Sequence, residues 1–188
     1  MRLEYFDMVD AVVALDREAG SIAVRSVVPA ASPVFEGHFP GHPIVPGVLL
    51  TETMAQASGF LLLARLGFVR MPFLVQVREA KFRAFVEPGA VLDVTAALEH
   101  DGSGFAVTKA EIRSDAGRLC NAELRFRIER FPSVATRDAI FERGRRAGID
   151  VPPVGDAEMA AAEPAAKPAA EPVSGEPAVV GPVGTTAS

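Results

Sequence analysis

The feature that most constrains the fold is the run over residues 44–64, which is apolar almost throughout. A helix is expected from Gly47 to about Leu66. Pro46 suits its first turn, where a missing N–H costs nothing, and Gly67 is a stop signal. Val48, Leu49, Leu50, Met54, Ala55, Phe60, Leu61, Leu62 and Leu63 put apolar groups on nearly every face. Such a helix must be covered all round. Its length also matches a membrane span. However, Glu52 and Gln56 lie within it, and a carboxylate at mid-span costs about 2.5–3.5 kcal/mol on insertion scales. A helix buried in protein, with no membrane span, is the reading that fits.

The flanking segments suggest what covers it. Residues 8–15 (MVDAVVAL) are rich in β-branched and apolar groups, and residues 21–28 alternate across two faces. With the turn residues of 16–20 between them, they predict a hairpin. Residues 29–46 carry loop chemistry, with Pro33, Pro40, Pro43 and Pro46. Beyond the helix, strands are expected over 73–86, 91–100, 104–114 and 119–128. They are separated by the turn-forming EPG, DGSG and DAG. A short amphipathic helix is expected over 136–147. Two strands, one long helix and four strands form an α+β hot-dog arrangement, in which an antiparallel sheet curls around the helix. A partner subunit would cover any apolar surface the sheet leaves open.

The ordered domain is expected over 1–149. From 150 to 188 proline recurs every few residues and aromatics are absent. Such a segment cannot bury enough apolar surface to offset its chain entropy, so a disordered Ala/Pro-rich tail is predicted. The net charge of −5 gives no electrostatic footprint for nucleic acid. The single cysteine, Cys120, excludes an internal disulfide and fits a reducing, cytoplasmic setting. The N-terminus has no basic segment followed by an apolar run, so no signal peptide is expected. The three histidines are not at ligand spacing, so no metal is expected.

The chemistry concentrates in residues 37–59, GHFPGHPIVPGVLLTETMAQASG. Glu52 and Gln56, four apart, share one helix face. A carboxyl group buried in an apolar setting tends to stay protonated and can act as an acid, and Gln56 could hold it in place. A structural carboxylate paired elsewhere is an equal alternative on these residues alone. His38, in a Gly/Pro-stiffened loop, is a candidate base. His42 is four residues on, but the intervening FPG does not align the two as a metal pair. Gly47 opens the helix, where unpaired N–H groups at the positive end of the dipole can donate to a developing oxyanion.

These residues carry a resemblance. Gly37 to Gln56 matches the pattern G-H-F-P-x-x-P-x-x-P-G-V-L-x-x-E-x-M-A-Q, which is similar to the active-site segment of FabZ-type 3-hydroxyacyl-[acyl-carrier-protein] dehydratases. The likeness continues at KFR (81–83), EPG (87–89) and LCNAELRF (119–126), and covers roughly residues 8–128. It implies a hot-dog fold, with His38 and Glu52 as the catalytic pair and Gly47 as the oxyanion donor. Gln56 would orient Glu52, and Phe39 would help form the acyl tunnel. It further implies dehydration of a (3R)-hydroxyacyl thioester to the trans-2-enoyl thioester, in fatty-acid or lipid A acyl-chain synthesis, with no cofactor. The partners implied are an acyl carrier protein bearing the phosphopantetheine-linked substrate and a second copy of the chain. In the resulting homodimer the histidine of one subunit faces the carboxyl of the other, and in the family such dimers often assemble further into a trimer of dimers. Arg78, Lys81 and Arg83 are candidates for a basic rim that receives the acidic carrier.

The chain departs from the family in a shorter opening, without an L-P-H-R-x-P-F-like motif, and in its C-terminal extension. The shortened start and the TETMAQ helix (51–56) resemble a divergent branch, some of whose members serve specialised acyl chains. The alternatives are a hot-dog acyl-thioesterase, which would usually lack the histidine ahead of the helix, and a non-catalytic hot-dog protein that binds acyl carriers.

Overall fold

The computed structural model describes residues 1–152. After a single 3-10 turn, the chain forms β1 (Ala11–Asp16), β2 (Ser21–Val27), α1 (Pro33–Gly37) and α2 (Gly47–Arg65). It continues through β3 (Met71–Phe82), β4 (Val91–Gly102), β5 (Phe105–Ser114), β6 (Gly117–Glu129) and α3 (Val134–Arg146). The six strands make one antiparallel sheet in the order β1-β2-β4-β5-β6-β3. The chain therefore leaves the sheet after β2, forms α2, and returns at the opposite edge as β3.

The strands bury alternate residues, as a sheet with one covered face must. Ile22 and Val24 of β2, Leu92 and Val94 of β4, Ala110 and Ile112 of β5, and Leu124 and Phe126 of β6 all point inward. They pack on Leu50, Met54, Leu61 and Leu62 of α2. Each large apolar side chain so buried contributes about 1.5–3 kcal/mol. The outward residues pair as charges, for example Arg25 with Asp93 at 2.9 Å and Lys109 with Glu99 at 2.7 Å. Cys120 lies in the core, where burial pushes its thiol up to about 11 and keeps it protonated.

Polar groups under the sheet find partners. Thr53 returns its hydroxyl to the Leu49 carbonyl at 2.8 Å, and Thr108 donates to Ser58 at 2.9 Å, tying β5 to α2. The helix stop at Gly67 has a specific geometry. Gly67 takes φ +59°, its N–H reaches the Ala64 carbonyl at 3.3 Å, and Phe68 N–H reaches the Leu63 carbonyl at 2.8 Å. This pair of bonds is a Schellman motif.

α2 is long and apolar enough to cross a bilayer by composition, but most of it is buried inside this protein. The fold is the expected hot-dog wrap, with differences at the ends of elements. Within residues 29–46 the chain forms a short helix, α1, capped by the Ser32 hydroxyl accepting from Val34 N–H at 3.3 Å. Proline at its first position suits a helix start as well as a loop. β3 begins at Met71 and ends at Phe82 rather than Val86, after bulges at 74/76 and 78/81, where Glu79 takes φ +51°. Packing continues past Ile149: Val151 is buried, and Asp150 accepts from Arg17 through its carbonyl at 3.1 Å. The rest of the expected tail lies outside the described residues.

Candidate active site

His38 caps α1, and the loop after it is closed by four bonds. Its carbonyl accepts from Ile44 N–H at 2.9 Å, and its ring Nδ1 lies 3.0 Å from the Ile44 carbonyl. Phe39 and His42 exchange backbone bonds of 3.1 and 2.9 Å across the Pro40–Gly41 turn. A carbonyl can only accept, so Nδ1 is the donor here, and the neutral form of the ring then has its lone pair on Nε2. The Phe39 ring stacks on the imidazole at 4.2 Å between centroids. His42 meets Phe85 edge-on and stands apart from this arrangement.

Glu52 sits in the second turn of α2 and is half-buried. Its Oε1 accepts from Gln56 Nε2 at 2.7 Å. Gln56 is itself fixed, because Nε2 also donates to the Phe6 carbonyl at 2.7 Å and its oxygen accepts from Met8 N–H at 3.0 Å. The Met8 carbonyl in turn accepts from the buried Ser26 hydroxyl at 2.6 Å. An amide with both ends engaged cannot swing, so the carboxyl it holds has one orientation. The N-terminal strap that supplies Phe6 and Met8 is invisible to a reading of local motifs, because its contribution is backbone only.

Gly47 is the first residue of α2, and among the described residues no acceptor takes its N–H. A Cβ there would come within 3.2 Å of the Phe82 ring. Glycine therefore allows β3 to approach and leaves the N–H uncovered.

Glu52, Gln56, Gly59, Phe60 and Leu63 form the α2 side of a cavity of about 290 Å³. Phe73 and Leu74 of β3, Phe126 of β6, and Ile140 and Arg143 of α3 complete it. His38 does not line this cavity, and among the described residues no hydrogen bond or ion pair joins His38 to Glu52. The single chain thus carries Gly47, Glu52 and Gln56 on α2, joins the last two by a hydrogen bond, and holds His38 on a separate element at the end of α1. The candidate rim is partly engaged: Arg78 pairs with Glu123 at 3.6 Å, and Arg83 donates to Asn121 at 2.6 Å. Lys81 is exposed. The sequence carries no signal for Ile140 and Arg143 at this site, since α3 lies beyond every motif that points to chemistry.

A curled antiparallel sheet around one long helix, with a carboxyl on that helix facing an apolar cavity, is the architecture of hot-dog proteins. A putative thioesterase from Ralstonia eutropha shares this fold, with a TM-score of 0.52 and 21% identity over 62% of this chain and 83% of that one. A hypothetical thioesterase from Streptococcus pneumoniae does so with a TM-score of 0.52 and 18% identity over 69% and 96%. Within this class, residues 2–123 match the FabA-like domain, and the chain belongs to that family. A 3-hydroxyacyl-[acyl-carrier-protein] dehydratase FabZ from Latilactobacillus sakei is 41% identical over 61% of this chain and 84% of the relative. The one from Chlamydia pneumoniae is 38% identical over 65% and 82%.

Proposed function

We infer that this protein dehydrates (3R)-hydroxyacyl-[acyl-carrier-protein] to the trans-2-enoyl thioester, in fatty-acid synthesis. The observation that carries this reading is the Glu52 carboxyl, clamped by Gln56 at the wall of an apolar cavity in a FabA-like chain. His38 Nε2 takes the proton from C2. The Gly47 N–H polarises the thioester carbonyl as charge develops, a donation typically worth about 3–4 kcal/mol. Glu52, in its protonated form, gives its proton to the C3 hydroxyl, which leaves as water while the C2–C3 double bond forms. His38 then returns its proton and Glu52 regains one, so no cofactor takes part. The phosphopantetheine arm arrives with the acyl carrier protein, and the reaction belongs in the cytoplasm.

Completing the site takes a second copy of the chain. Among the described residues β3 pairs with β6 alone, and its other edge is open. Val75, Val77 and Phe82 are exposed there, with Phe39, Val48 and Phe85 exposed nearby in the chain's own helix start and loops. A row of unpaired backbone groups flanked by apolar side chains is a pairing edge. In the homodimer this edge is covered and the histidine of one subunit meets the carboxyl of the other. Assembly of three such dimers would follow the same symmetry logic.

The test is ultraviolet absorbance of the enoyl thioester formed from 3-hydroxyacyl-carrier-protein substrates of several lengths. Wild type should turn over, and Glu52→Gln and His38→Ala should each lose roughly 100-fold or more, the usual share of a general acid or base. Unchanged turnover in either variant would remove that residue from the mechanism. Release of free carrier thiol without enoyl product would establish thioester hydrolysis instead. Activity confined to long hydroxylated chains would place the protein in lipid A acyl synthesis.

A further inference from the structure

We propose that α3 is the roof of the acyl-binding groove and that Ile140 on its inner face sets which chain lengths the groove accepts. This rests on the dehydratase reading above and extends it to a specificity-determining element. The family match covers residues 2–123 and α3 begins at Val134, so the roof lies outside the matched residues.

The shape of the cavity supports the assignment. Its α2 side runs from Glu52 to Leu63, eleven residue steps or about 16 Å of helix axis at 1.5 Å per residue. The acid stands at one end, and the remaining wall from Phe60, Leu63, Phe73 and Phe126 is apolar. A long apolar slot with its polar groups at one end suits an extended acyl chain whose reacting carbons lie beside the carboxyl. Ile140 and Arg143 close it from the α3 side.

Gly59 is an independent sign that the slot is kept open. It lies in the interior of α2, where glycine is less favourable than alanine, and a Cβ built there would meet nothing within 4 Å. No contact among the described residues requires glycine at this position. Its effect is to deepen the floor of the groove opposite the roof.

The roof is also firmly attached. Phe141 is buried against Phe68 and Phe131, edge-on at 5.3 and 6.0 Å. Arg146 pairs with Asp7 at 3.1 Å. Arg143 donates to the Phe6 carbonyl at 3.3 Å, the same oxygen that accepts from Gln56. The strap that clamps the acid is therefore the strap that carries the roof, which fixes the height of one relative to the other.

The experiment compares full-length wild type, Ile140→Ala, Ile140→Phe and Gly59→Ala on short-chain and long-chain 3-hydroxyacyl-carrier-protein. Binding of the matching 3-hydroxyacyl-pantetheine thioesters is measured by calorimetry on the same substitutions in a Glu52→Gln background. Ile140→Phe and Gly59→Ala should lower the long-to-short ratio of kcat/KM about tenfold, and Ile140→Ala should raise it, since a methylene or two in an apolar pocket discriminates on that scale. The binding ratio should move in the same direction. Gly59→Ala should do so while raising the melting temperature, which separates a filled groove from a damaged fold. Length ratios that stay at the wild-type value in all three folded variants would overturn the proposal while leaving the dehydratase reading standing. Failure of that reading shows separately, as absence of enoyl product in the wild type.

Discussion

At the scale of single residues, the site depends on groups whose freedom has been removed. His38 is held through Nδ1 by a carbonyl that can only accept, and Glu52 through one oxygen by an amide engaged at both ends. Gly47 differs from both, because its contribution is an exposed N–H and the absence of a side chain. Replacing it with alanine brings a methyl within 3.2–3.3 Å of the half-exposed Phe82 ring, which can shift by a few tenths of an ångström. The expected outcome for Gly47→Ala is a melting temperature close to wild type with kcat lowered up to about 100-fold, because the carbonyl can no longer approach the N–H. Calorimetry beside the enoyl-absorbance assay checks both. Wild-type turnover in a folded Gly47→Ala protein would take the oxyanion role away from this position.

At the scale of elements, α2 and α3 have different origins of stability. α2 is covered by five strands and ends in a motif that satisfies its last carbonyls, so no single contact decides it. α3 is amphipathic and lies on the outside, held by Phe141, by its arginines and by its start. That start is a cap: the Ser133 hydroxyl accepts from Thr136 N–H at 3.1 Å. Ser133→Ala should cost about 1 kcal/mol, read as a lower urea midpoint. The same variant should loosen hydrogen-exchange protection in α3 before it does so in the sheet, since a peripheral helix opens locally. Uniform loss across the sheet would mean that α3 and the core unfold as one unit.

At the scale of the whole molecule, the open β3 edge and the charge ties of the N-terminal strap matter most. Val77→Lys places a charge at the proposed pairing edge. It should yield a monomer in sedimentation with native circular dichroism and with dehydration reduced roughly 100-fold or more, the loss expected when one partner of a general acid–base pair is removed. A fully active dimer would move the interface elsewhere. The strap carries Asp7, whose carboxyl burial would raise, but Arg2, Arg146 and Arg143 outweigh that and hold it below the usual range. A depressed folded value means that its stabilisation is present above the unfolded pKa and is lost as pH falls through the folded one. Asp7→Asn should therefore lower stability at pH 7, and the gap from wild type should close below about pH 4. A gap that persists unchanged at lower pH would assign the loss to packing rather than to the charge.

The sequence alone determined the wrap of sheet around helix, because both are periodicity statements. A helix apolar on all faces needs cover, and strands alternating with period two supply it. It also singled out the residues of 37–59, since histidine, carboxyl, amide and glycine occur there at spacings with a chemical use. Tertiary structure alone decided the rest. The strap that clamps Gln56 works through the Phe6 carbonyl and the Met8 N–H, and backbone groups carry no residue signature. β3 stops at Phe82, short of Val86, and carries two bulges in its pairing with β6, which no composition encodes. The place of α3 over the groove follows from the packing of Phe141 on Phe68 across a sequence separation of 73 residues. A contact between distant segments depends on where the intervening chain folds, so it becomes legible only once the chain has folded.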